Sequence, residues 1–486
     1  MKTLKDVLYG VSIETIVGVT KISVKGIVFD SRNVKNDFIY LAQKGVQVDG
    51  HEFISQAISN GAKVIICEII PVECVIGVVY VRVENSSKTL GIIASNFYDN
   101  PSNKLILVGV TGTNGKTTIA SLLYELFLSE GYHCGLLSTI KIIYASKQFE
   151  NMHTTPDAVV INKHLEAMVN LGVTHCFMEV SSHGITQNRI EGLYFSGGVF
   201  SNLTHDHLDY HGDFKSYRNT KKRFFDNLPK TAFALTNVDD KNGTFMLQNT
   251  LAKKYSYSTH QQADFKAQIL ECQFSGMLLK IQLHEVWTSI IGAFNAQNLL
   301  AIYAVASLLG INKLSVLKRI SEFKSVPGRF QTLQAPNKVT VVIDYAHTPD
   351  ALKNVLQTIA TIRTRNETII TVIGCGGNRD QEKRPLMAKA AVNLSDKVIF
   401  TSDNPRNEDP AVIISEMLKG VPAEHHKKAL KVSLREEAIA MAGQLAQEGD
   451  IVLIAGKGHE TYQEINGERF PFSDIDIAKQ IFLKTD

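Results

Sequence analysis

The segment GVTGTNGKTT, residues 109–118, combines residue types that bind phosphate. Its glycines let backbone N–H groups turn toward phosphate oxygens, Lys116 can reach the terminal phosphates, and the Thr117 hydroxyl can bind magnesium. The regular pattern of such loops has a glycine where this chain has Val110, but Gly115, Lys116 and Thr117 keep the essential chemistry. The segment therefore predicts a nucleoside triphosphate site, and a glycine-rich turn without a ligand is the alternative.

Two downstream segments carry groups that could meet a magnesium ion near Thr117. Glu179 follows the strand-like run THCFM, and His207 lies in the polar segment SNLTHDHLDYHG. Both could face the ion if their segments end at the same sheet edge. Histidines in a polar loop are more often solvated or capping residues, and Lys221 in SYRNTKKRFFD could be one of three cations on a solvated helix face.

A third candidate is the loop DNPRNEDP, residues 403–410, which follows the apolar run KVIFTS. It places Arg406 directly after a proline, and a planar guanidinium suits a carboxylate or a phosphate. The alternative is that Asp-Asn-Pro forms a turn and that Arg406 pairs locally with Glu408 or Asp409.

The elements around the glycine segment match what a phosphate site needs. The apolar run KLILVGV predicts a buried strand before it. Apolar residues with helical i, i+3, i+4 spacing predict a helix after it, ending near Gly131; these residues are Ile119, Leu122, Leu123, Leu126 and Phe127.

The chain divides into three predicted domains, and all of them are of the α/β class. Residues 1–102 alternate short strands with one helical pattern and close on the turn-rich NFYDNPSNK, residues 103–330 hold the glycine loop, and residues 331–486 alternate strands with helices. In the last domain the loops DYAHTPD, GCGGNRD, DNPR and AGKGHE each follow a strand, which predicts a doubly wound parallel sheet with ligands at this edge.

Composition excludes several classes of function. The 51 basic and 48 acidic residues nearly cancel, so no global field attracts nucleic acid. The six cysteines lack CxxC pairs, which argues against a disulfide framework or a zinc site. The apolar runs are too short for a signal peptide or a membrane span, so we expect a cytoplasmic protein.

Together the motifs resemble those of the Mur ligases, ATP-dependent enzymes that add amino acids to the peptidoglycan precursor. The shared motifs are GTNGKTT, EVSSHG, NLTHDHLDYHG, FNAQN, VPGRFQ, DYAHTPDAL, GCGGNRD, KRP, DNPR and AGKGHE, in order over nearly the whole chain. The resemblance is strongest to members that add meso-diaminopimelate to UDP-N-acetylmuramoyl-L-alanyl-D-glutamate. It implies a small N-terminal domain that holds the UDP precursor, a central P-loop ATPase domain, a C-terminal Rossmann-like domain, and usually a monomer.

The resemblance also implies the residues that bind ATP and magnesium. Thr117, Glu179 and His207 would hold two Mg²⁺ ions, and Lys221 would join them as a carbamate, whereas the adjacent Lys222 serves as its comparator. Lys116, Glu179, His207 and Lys221 form the implied catalytic set. The implied ATP contacts are Gly112, Thr113, Asn114, Gly115, Lys116, Thr117, Thr118, Asn295, Asn298, Arg329 and Asp344. Asn295 and Asn298 could equally be caps within a helical hairpin.

Two further groups of residues would hold the other substrates. The UDP precursor would contact Phe29, Ser31, Val46, Gln47, Val48, His153, Thr154, Thr155, Ser181, Gln187 and Arg189. Relatives are expected to carry asparagine where this chain has His153, and Ser31 could instead form a cap or a turn. Diaminopimelate would contact Arg379, Asp403, Asn404, Pro405, Arg406, Gly456 and Glu460.

In this reading Arg406 selects the amino acid. Diaminopimelate differs from lysine by one carboxylate, and rejection of an analogue that leaves a buried polar group unpaired can reach about 10⁴-fold. The alternatives are the same reaction with L-lysine, a recycling ligase that attaches an intact peptide to UDP-N-acetylmuramate, a folylpolyglutamate synthetase, and a P-loop module that switches a partner without catalysis.

Overall fold

The computed structural model describes residues 1–45, 48–151, 153–364 and 366–483. Its N-terminal part contains strands β1 (Lys2–Thr3), β2 (Ile13–Val17), β3 (Ser23–Val24), β4 (Gly26–Val28), β5 (Phe38–Leu41), β6 (Ala62–Cys67) and β7 (Val79–Val83), and helices α1 (Leu4–Val7), α2 (Ile54–Ser59) and α3 (Ser86–Phe97). Short 3-10 turns cover Ser31–Asn33, Gly50–Phe53 and Pro101–Lys104. The main sheet has the order β2-β7-β6-β5-β4, and all neighbours are parallel except β2 and β7.

The central part is built on an 11-stranded sheet of order β11-β10-β9-β12-β8-β13-β14-β15-β16-β17-β18. The strands are β8 (Ile106–Thr111), β9 (Cys134–Leu137), β10 (Ile142–Tyr144), β11 (Lys147–Phe149), β12 (His175–Glu179), β13 (Gly197–Phe200), β14 (Phe233–Asn237), β15 (Lys253–Ser258), β16 (Phe265–Gln273), β17 (Gly276–Ile281) and β18 (His284–Thr288). The helices are α4 (Lys116–Ser129), α5 (Ala158–Asn170), α6 (Ser182–Thr186), α7 (Leu208–His211), α8 (Phe214–Asp226), α9 (Gly243–Met246), α10 (Ala293–Leu308) and α11 (Lys313–Glu322). The seven neighbouring strands β9-β12-β8-β13-β14-β15-β16 run parallel, so β8, β12 and β13 end at one edge.

The C-terminal part contains a six-stranded sheet of order β19-β20-β24-β21-β22-β23. Its strands are β19 (Gln331–Gln334), β20 (Thr340–Asp344), β21 (Ile369–Ile373), β22 (Lys397–Phe400), β23 (Ala429–Lys431) and β24 (Ile451–Ala455), followed by the hairpin β25 (Tyr462–Ile465) and β26 (Glu468–Pro471). The helices are α12 (Pro349–Ile362), α13 (Lys383–Leu394), α14 (Pro410–Leu418), α15 (Arg435–Leu445) and α16 (Asp474–Phe482), with a 3-10 turn at Ala423–Lys428. Only β19 is antiparallel to its neighbour in this sheet.

Local sequence accounts for the helices that border the candidate site. Helix α4 begins directly after Gly115, whose left-handed φ of 89° is favourable for glycine. Helix α8 begins after Asp213, which caps the Ser216 amide, and α12 combines a Thr348 cap with Pro349 in its first turn. Each cap fixes where a helix leaves the sheet edge.

The structure confirms the predicted α/β class, the strand before the glycine loop and the strands that precede the four C-terminal loops. The boundaries at residues 102 and 330 stay predictions. The edge strand β2 and the hairpins of β16, β17 and β18 are not among the predicted elements. Strands β2 and β16 are half-buried or exposed at nearly all positions and lack the continuous apolar run of an interior strand. No described helix is long and apolar enough to cross a membrane.

Candidate functional site

The phosphate-binding loop lies between β8 and α4, and two of its positions require glycine. A Cβ on Gly115 would lie 2.5 Å from Asn298 Oδ1, and a Cβ on Gly112 would overlap the Ser201 hydroxyl. The Asn114 amide donates to Asn202 Oδ1 at 2.9 Å. Side chains from two distant segments, Ser201–Asn202 and α10, therefore pack against the loop and hold its conformation.

Two lysines converge on one carbonyl of this loop. Lys116 Nζ lies 2.9 Å and Lys221 Nζ 2.8 Å from the Gly112 oxygen, and both donate to it. Burial lowers the pKa of both amines, and the charge of Lys116 adds to the shift of Lys221. Lys222 points elsewhere and donates to Asp226 at 2.6 Å. The phase of α8 therefore directs Lys221, and not Lys222, to the phosphate loop.

Glu179 is fixed at the end of β12 beside the first turn of α4. Its carboxylate accepts hydrogen bonds from the Thr117 hydroxyl at 3.1 Å and from the Thr139 amide at 2.8 Å. The Thr139 hydroxyl lies 3.1 Å from the same carboxylate and 3.1 Å from Thr154 Oγ1. Thr139 thus links the predicted metal ligand to the predicted precursor contact Thr154.

The oxygens of Thr117 and Glu179 fit a magnesium ion, which prefers hard oxygen ligands and keeps water and phosphate oxygens in its shell. His207, the other predicted metal ligand, has a left-handed φ of 55°, and its Nε2 lies 3.3 Å from Asp206 Oδ2. Burial lowers the pKa of His207 to about 3, so its ring is neutral and able to bind a metal. Among the described residues, no three His, Cys, Asp or Glu side chains form a metal cluster.

Arg329, which lies just before the first strand of the C-terminal sheet, contacts the helix that follows the phosphate loop. Its Nη2 donates to the Thr117 hydroxyl at 3.1 Å, and its guanidinium lies 4.5 Å from the centre of the Tyr345 ring. Asp344 accepts from the Phe330 amide at 2.6 Å, and burial raises the pKa of its carboxyl to about 6 despite the charge of Arg329. The two predicted ATP contacts Arg329 and Asp344 therefore lie close to each other, and Arg329 reaches Thr117 at the start of α4.

Asn295 and Asn298 lie behind the loop in the first turns of α10. Asn298 donates to Asn295 Oδ1 at 3.0 Å, and Asn295 donates to the Ile291 carbonyl at 2.8 Å. Both side chains are buried, and the N-cap position of α10 belongs to Gly292. The alternative that these asparagines cap the helix is therefore wrong, and their contact with ATP stays a prediction.

The predicted precursor residues fall into two groups. In the N-terminal domain, Ser31 is buried and donates to Gln56 Oε1 at 2.9 Å, whereas Phe29 and Val48 are exposed. Asp30 caps the 3-10 turn that contains Ser31, so Ser31 itself is not the cap. Val46 and Gln47 lie outside the described residues.

The second group surrounds the end of β12. Arg189 donates to the Thr155 carbonyl at 2.5 Å and to Gln187 Oε1 at 2.9 Å. The Thr155 hydroxyl donates to the Glu179 carbonyl at 2.8 Å and accepts from the Ser181 amide at 2.9 Å. His153 is exposed as a residue. Partial burial of its ring and the nearby positive charge of Arg189 both lower its pKa. These residues adjoin the predicted metal ligands.

The predicted amino-acid site is organised by a lysine. Lys457, which is fully buried, donates to Asn404 Oδ1 and to Glu460 Oε2, each at 2.9 Å. The Asn404 amide also donates to Glu460 Oε2, at 2.8 Å. A Cβ on Gly456 would lie 2.8 Å from Asp403 Oδ2, so this position needs glycine. Two predicted ligands, Asn404 and Glu460, therefore share one hydrogen-bond network around Lys457.

Arg406 is held by partners other than those of the local alternative. Its Nη1 donates to the Gly377 carbonyl at 2.7 Å, and its Nε lies 3.3 Å from Glu464 Oε2. Local pairing with Glu408 or Asp409 is wrong, because Glu408 binds Arg384 and Asp409 caps α14.

These partners also change the expected discrimination against lysine. With side-chain exposure of 21% and a carboxylate nearby, Arg406 is not left unpaired when its ligand lacks a carboxylate. The penalty is therefore below the 10⁴-fold limit. Pro405 is buried in the same loop, whereas Arg379 is exposed and forms no hydrogen bond with the described residues.

Several residues of the site were not predicted from the sequence. Thr139 and Glu464 lie outside the quoted motifs, and their roles depend on contacts across the fold. Tyr345 lies inside the quoted segment DYAHTPD, so its position beside the predicted Asp344 was an available signal. Lys457 lies inside the quoted segment AGKGHE, so its position between the predicted Gly456 and Glu460 was an available signal.

A phosphate loop at the edge of one parallel sheet, faced by charged loops at the edge of a second, defines an α/β protein of the P-loop class. Three protein-family models match the chain. The model described as "Mur ligase family, catalytic domain" matches residues 23–98, "Mur ligase middle domain" matches residues 110–306, and "Mur ligase, glutamate ligase domain" matches residues 328–458. The chain belongs to the Mur ligase family.

Similar proteins cover nearly all of the chain. A protein of Cytophaga hutchinsonii named UDP-N-acetylmuramoyl-L-alanyl-D-glutamate--2,6-diaminopimelate ligase is 52% identical over 479 residues, which are 98% of each chain. A protein of the same name from Bacteroides thetaiotaomicron is 49% identical over 99% of each. A solved structure of a ligase of this name aligns over 99% of each chain with 32% identity and a TM-score of 0.69.

Proposed function

We propose that this chain is an ATP-dependent ligase that joins meso-diaminopimelate to the side-chain carboxylate of D-glutamate in UDP-N-acetylmuramoyl-L-alanyl-D-glutamate. The observation that carries the proposal is the full-length similarity to ligases of this name, together with a DNPR loop after β22 whose Arg406 donates to the Gly377 carbonyl. We further propose that it acts in the cytoplasm as a monomer.

In the first step the D-glutamate carboxylate attacks the γ-phosphorus of ATP, so that an acyl phosphate forms and ADP leaves. Lys116, the loop amides and Arg329 lie where they can offset repulsion between the two anions. Mg²⁺, held by Thr117, Glu179, His207 and a carbamylated Lys221, would supply further positive charge to the phosphoryl oxygens. The loop amides also orient the triphosphate.

In the second step the amine of diaminopimelate attacks the acyl carbonyl, an amide bond forms, and phosphate leaves. Arg406 would bind the distal carboxylate, while Glu460 and Asp403 would bind the distal ammonium. Burial raises the pKa of Asp403, but Lys457 and Arg435 outweigh this effect and keep its carboxyl ionised. The protein needs no nucleophile of its own, since both new bonds form between substrates.

The product of the reaction tests the proposal. The protein is incubated with ATP, Mg²⁺, the UDP precursor and meso-diaminopimelate, and the UDP-linked product is weighed by mass spectrometry. We expect a gain of one diaminopimelate residue with one phosphate released per product, and no product when any substrate is omitted. If the protein instead prefers to add glutamate to a folate, or to attach an intact peptide to UDP-N-acetylmuramate, that activity replaces the proposed function.

A P-loop module that binds nucleotide and switches a partner is the candidate from another class. It predicts nucleotide binding or hydrolysis that does not respond to the UDP precursor. The links from Glu179 through Thr139 to Thr154 favour the ligase, because they join the predicted metal and precursor contacts directly.

A further inference from the structure

Arg406 has a backbone conformation that few arginines adopt. Its φ is 51°, in the left-handed region that favours glycine, asparagine and aspartate. Two hydrogen bonds to the hairpin β25–β26 hold it there: the Arg406 amide donates to the Glu464 carbonyl at 3.0 Å, and the Asn466 amide donates to the Arg406 carbonyl at 2.8 Å. The hairpin therefore determines the direction in which the arginine leaves the loop.

The same hairpin also holds the guanidinium. Glu464 Oε2 lies 3.3 Å from Nε on one edge, and the Gly377 carbonyl accepts from Nη1 at 2.7 Å. A Cβ on Gly376 would lie 3.0 Å from Nη1, so the guanidinium passes closely over this glycine. Among the described residues Nη2 has no hydrogen-bond partner, so this end stays free for a ligand carboxylate.

We propose that Glu464 is a positioning residue that sets the preference for an amino acid with a distal carboxylate. It occupies the Nε edge of Arg406 and so turns the Nη2 end toward the substrate. The inference rests on the proposed function, since it concerns the same amino-acid site. Glu464 itself does not touch the substrate, because it acts through the orientation of Arg406.

Replacement of the side chain isolates this contact. Glu464→Ala keeps both backbone hydrogen bonds of the hairpin, and the side chain is only partly buried, at 28% exposure, so the variant should fold. Glu464→Gln keeps an oxygen that can accept from Nε. Glu468→Ala serves as the matched control, because Glu468 is an exposed glutamate of the same hairpin.

The measurement is steady-state kinetics of each full-length variant with meso-diaminopimelate and with L-lysine. For Glu464→Ala we expect the KM for diaminopimelate to rise about tenfold, because a misplaced binding group costs at least this much. The kcat and the KM for ATP and for lysine stay near those of the wild type. Glu464→Gln and Glu468→Ala should resemble the wild type, and Glu464→Ala should add little in an Arg406→Ala background.

The outcomes separate the two proposals. A wild-type protein that joins no diaminopimelate would overturn the proposed function and the inference with it. Wild-type activity combined with an unchanged KM in Glu464→Ala would overturn the inference alone. So would equal losses with ATP and diaminopimelate, or additive effects of Glu464→Ala and Arg406→Ala, because either result indicates a general structural role.

Discussion

The predicted phosphate loop and the predicted amino-acid site, which is formed by the loops DNPR and AGKGHE, both follow parallel strands. The cations at the two sites have different kinds of partner. At the phosphate loop, Lys116 and Lys221 donate to the carbonyl of Gly112, and the pKa of both amines is lowered. At the amino-acid site, Lys457 donates to Glu460 and Arg406 lies beside Glu464. Among the described residues, the two amines of the first site have no carboxylate partner, whereas the cations of the second site are already paired.

This difference matches the charges of the proposed ligands. A site whose cations lack acidic partners favours a polyanion such as a triphosphate, because binding then supplies the missing countercharge. A site with paired charges favours a zwitterion, since each end of the ligand meets a partner of opposite sign. The predictions below test this contrast, from the largest expected effect to the smallest.

Replacement of Lys116 should have the largest effect. Lys116→Ala removes the cation that we propose faces the transferring phosphoryl group, and we expect the rate of ATP-dependent product formation to fall about 10³-fold. Binding of diaminopimelate, measured by calorimetry, should stay unchanged. A variant that keeps a tenth of wild-type turnover would show that the loop lysine does not support phosphoryl transfer.

The neighbouring lysines of α8 should behave differently from each other. Lys221→Ala should lower turnover roughly 10²-fold, the scale for groups that support a metal site, and a small carboxylate such as formate should restore part of it. Lys222→Ala, which removes the pair with Asp226 and the contact with the Phe245 ring, serves as the control and should lower turnover by less than about threefold. Equal effects would contradict the assignment of the carbamate to Lys221.

Arg406 should matter only for the amino acid. Arg406→Ala removes a charged hydrogen bond to the substrate carboxylate, and we expect kcat/KM for diaminopimelate to fall about 50-fold while the KM for ATP is unchanged. Arg469→Ala is the control, because Arg469 belongs to the β25–β26 hairpin and its guanidinium lies over the Tyr462 ring. It should leave both values near those of the wild type. Equal damage to ATP and diaminopimelate use would remove the contrast between the sites.

Two partly buried histidines, His183 in the segment EVSSHG and His459 in the segment AGKGHE, should make the stability of the fold sensitive to acid. Burial lowers the pKa of His183 to about 4 and that of His459 to about 3, from 6.5 in each case. Below pH 6.5 the unfolded chain takes up protons that the folded chain does not, so stability falls as the pH decreases, by up to roughly 1.4 kcal/mol per unit per histidine. Urea unfolding between pH 7 and 5 measures this slope, and His459→Gln should reduce it. An unchanged slope in that variant would contradict the assignment.

Much of the fold follows from local sequence. The run KLILVGV, the glycines of GTNGKTT and the spacing of Ile119, Leu122 and Leu126 predict β8, its loop and α4, and the structure confirms all of them. The missing loop glycine has a physical explanation, because Val110 is a buried residue of β8 and not part of the turn. Apolar periodicity and glycine geometry are local properties, so sequence reveals them.

The supporting contacts do not follow from local sequence. Thr139 meets Glu179 only because β9 and β12 are neighbours, and Glu464 meets Arg406 only because the β25–β26 hairpin folds back over the DNPR loop. The choice between Lys221 and Lys222 depended on the phase of α8. Such contacts join residues far apart in the chain, and motif positions carry no information about them.

The most direct test of the central claim is the initial rate of phosphate release by the wild-type protein, with ATP, Mg²⁺ and UDP-N-acetylmuramoyl-L-alanyl-D-glutamate, when either meso-diaminopimelate or L-lysine is supplied. We predict release that depends on the amino acid and is at least about 10²-fold faster with diaminopimelate, because only this substrate engages the free end of Arg406. Equal rates with both amino acids, or release that needs neither, would contradict the account.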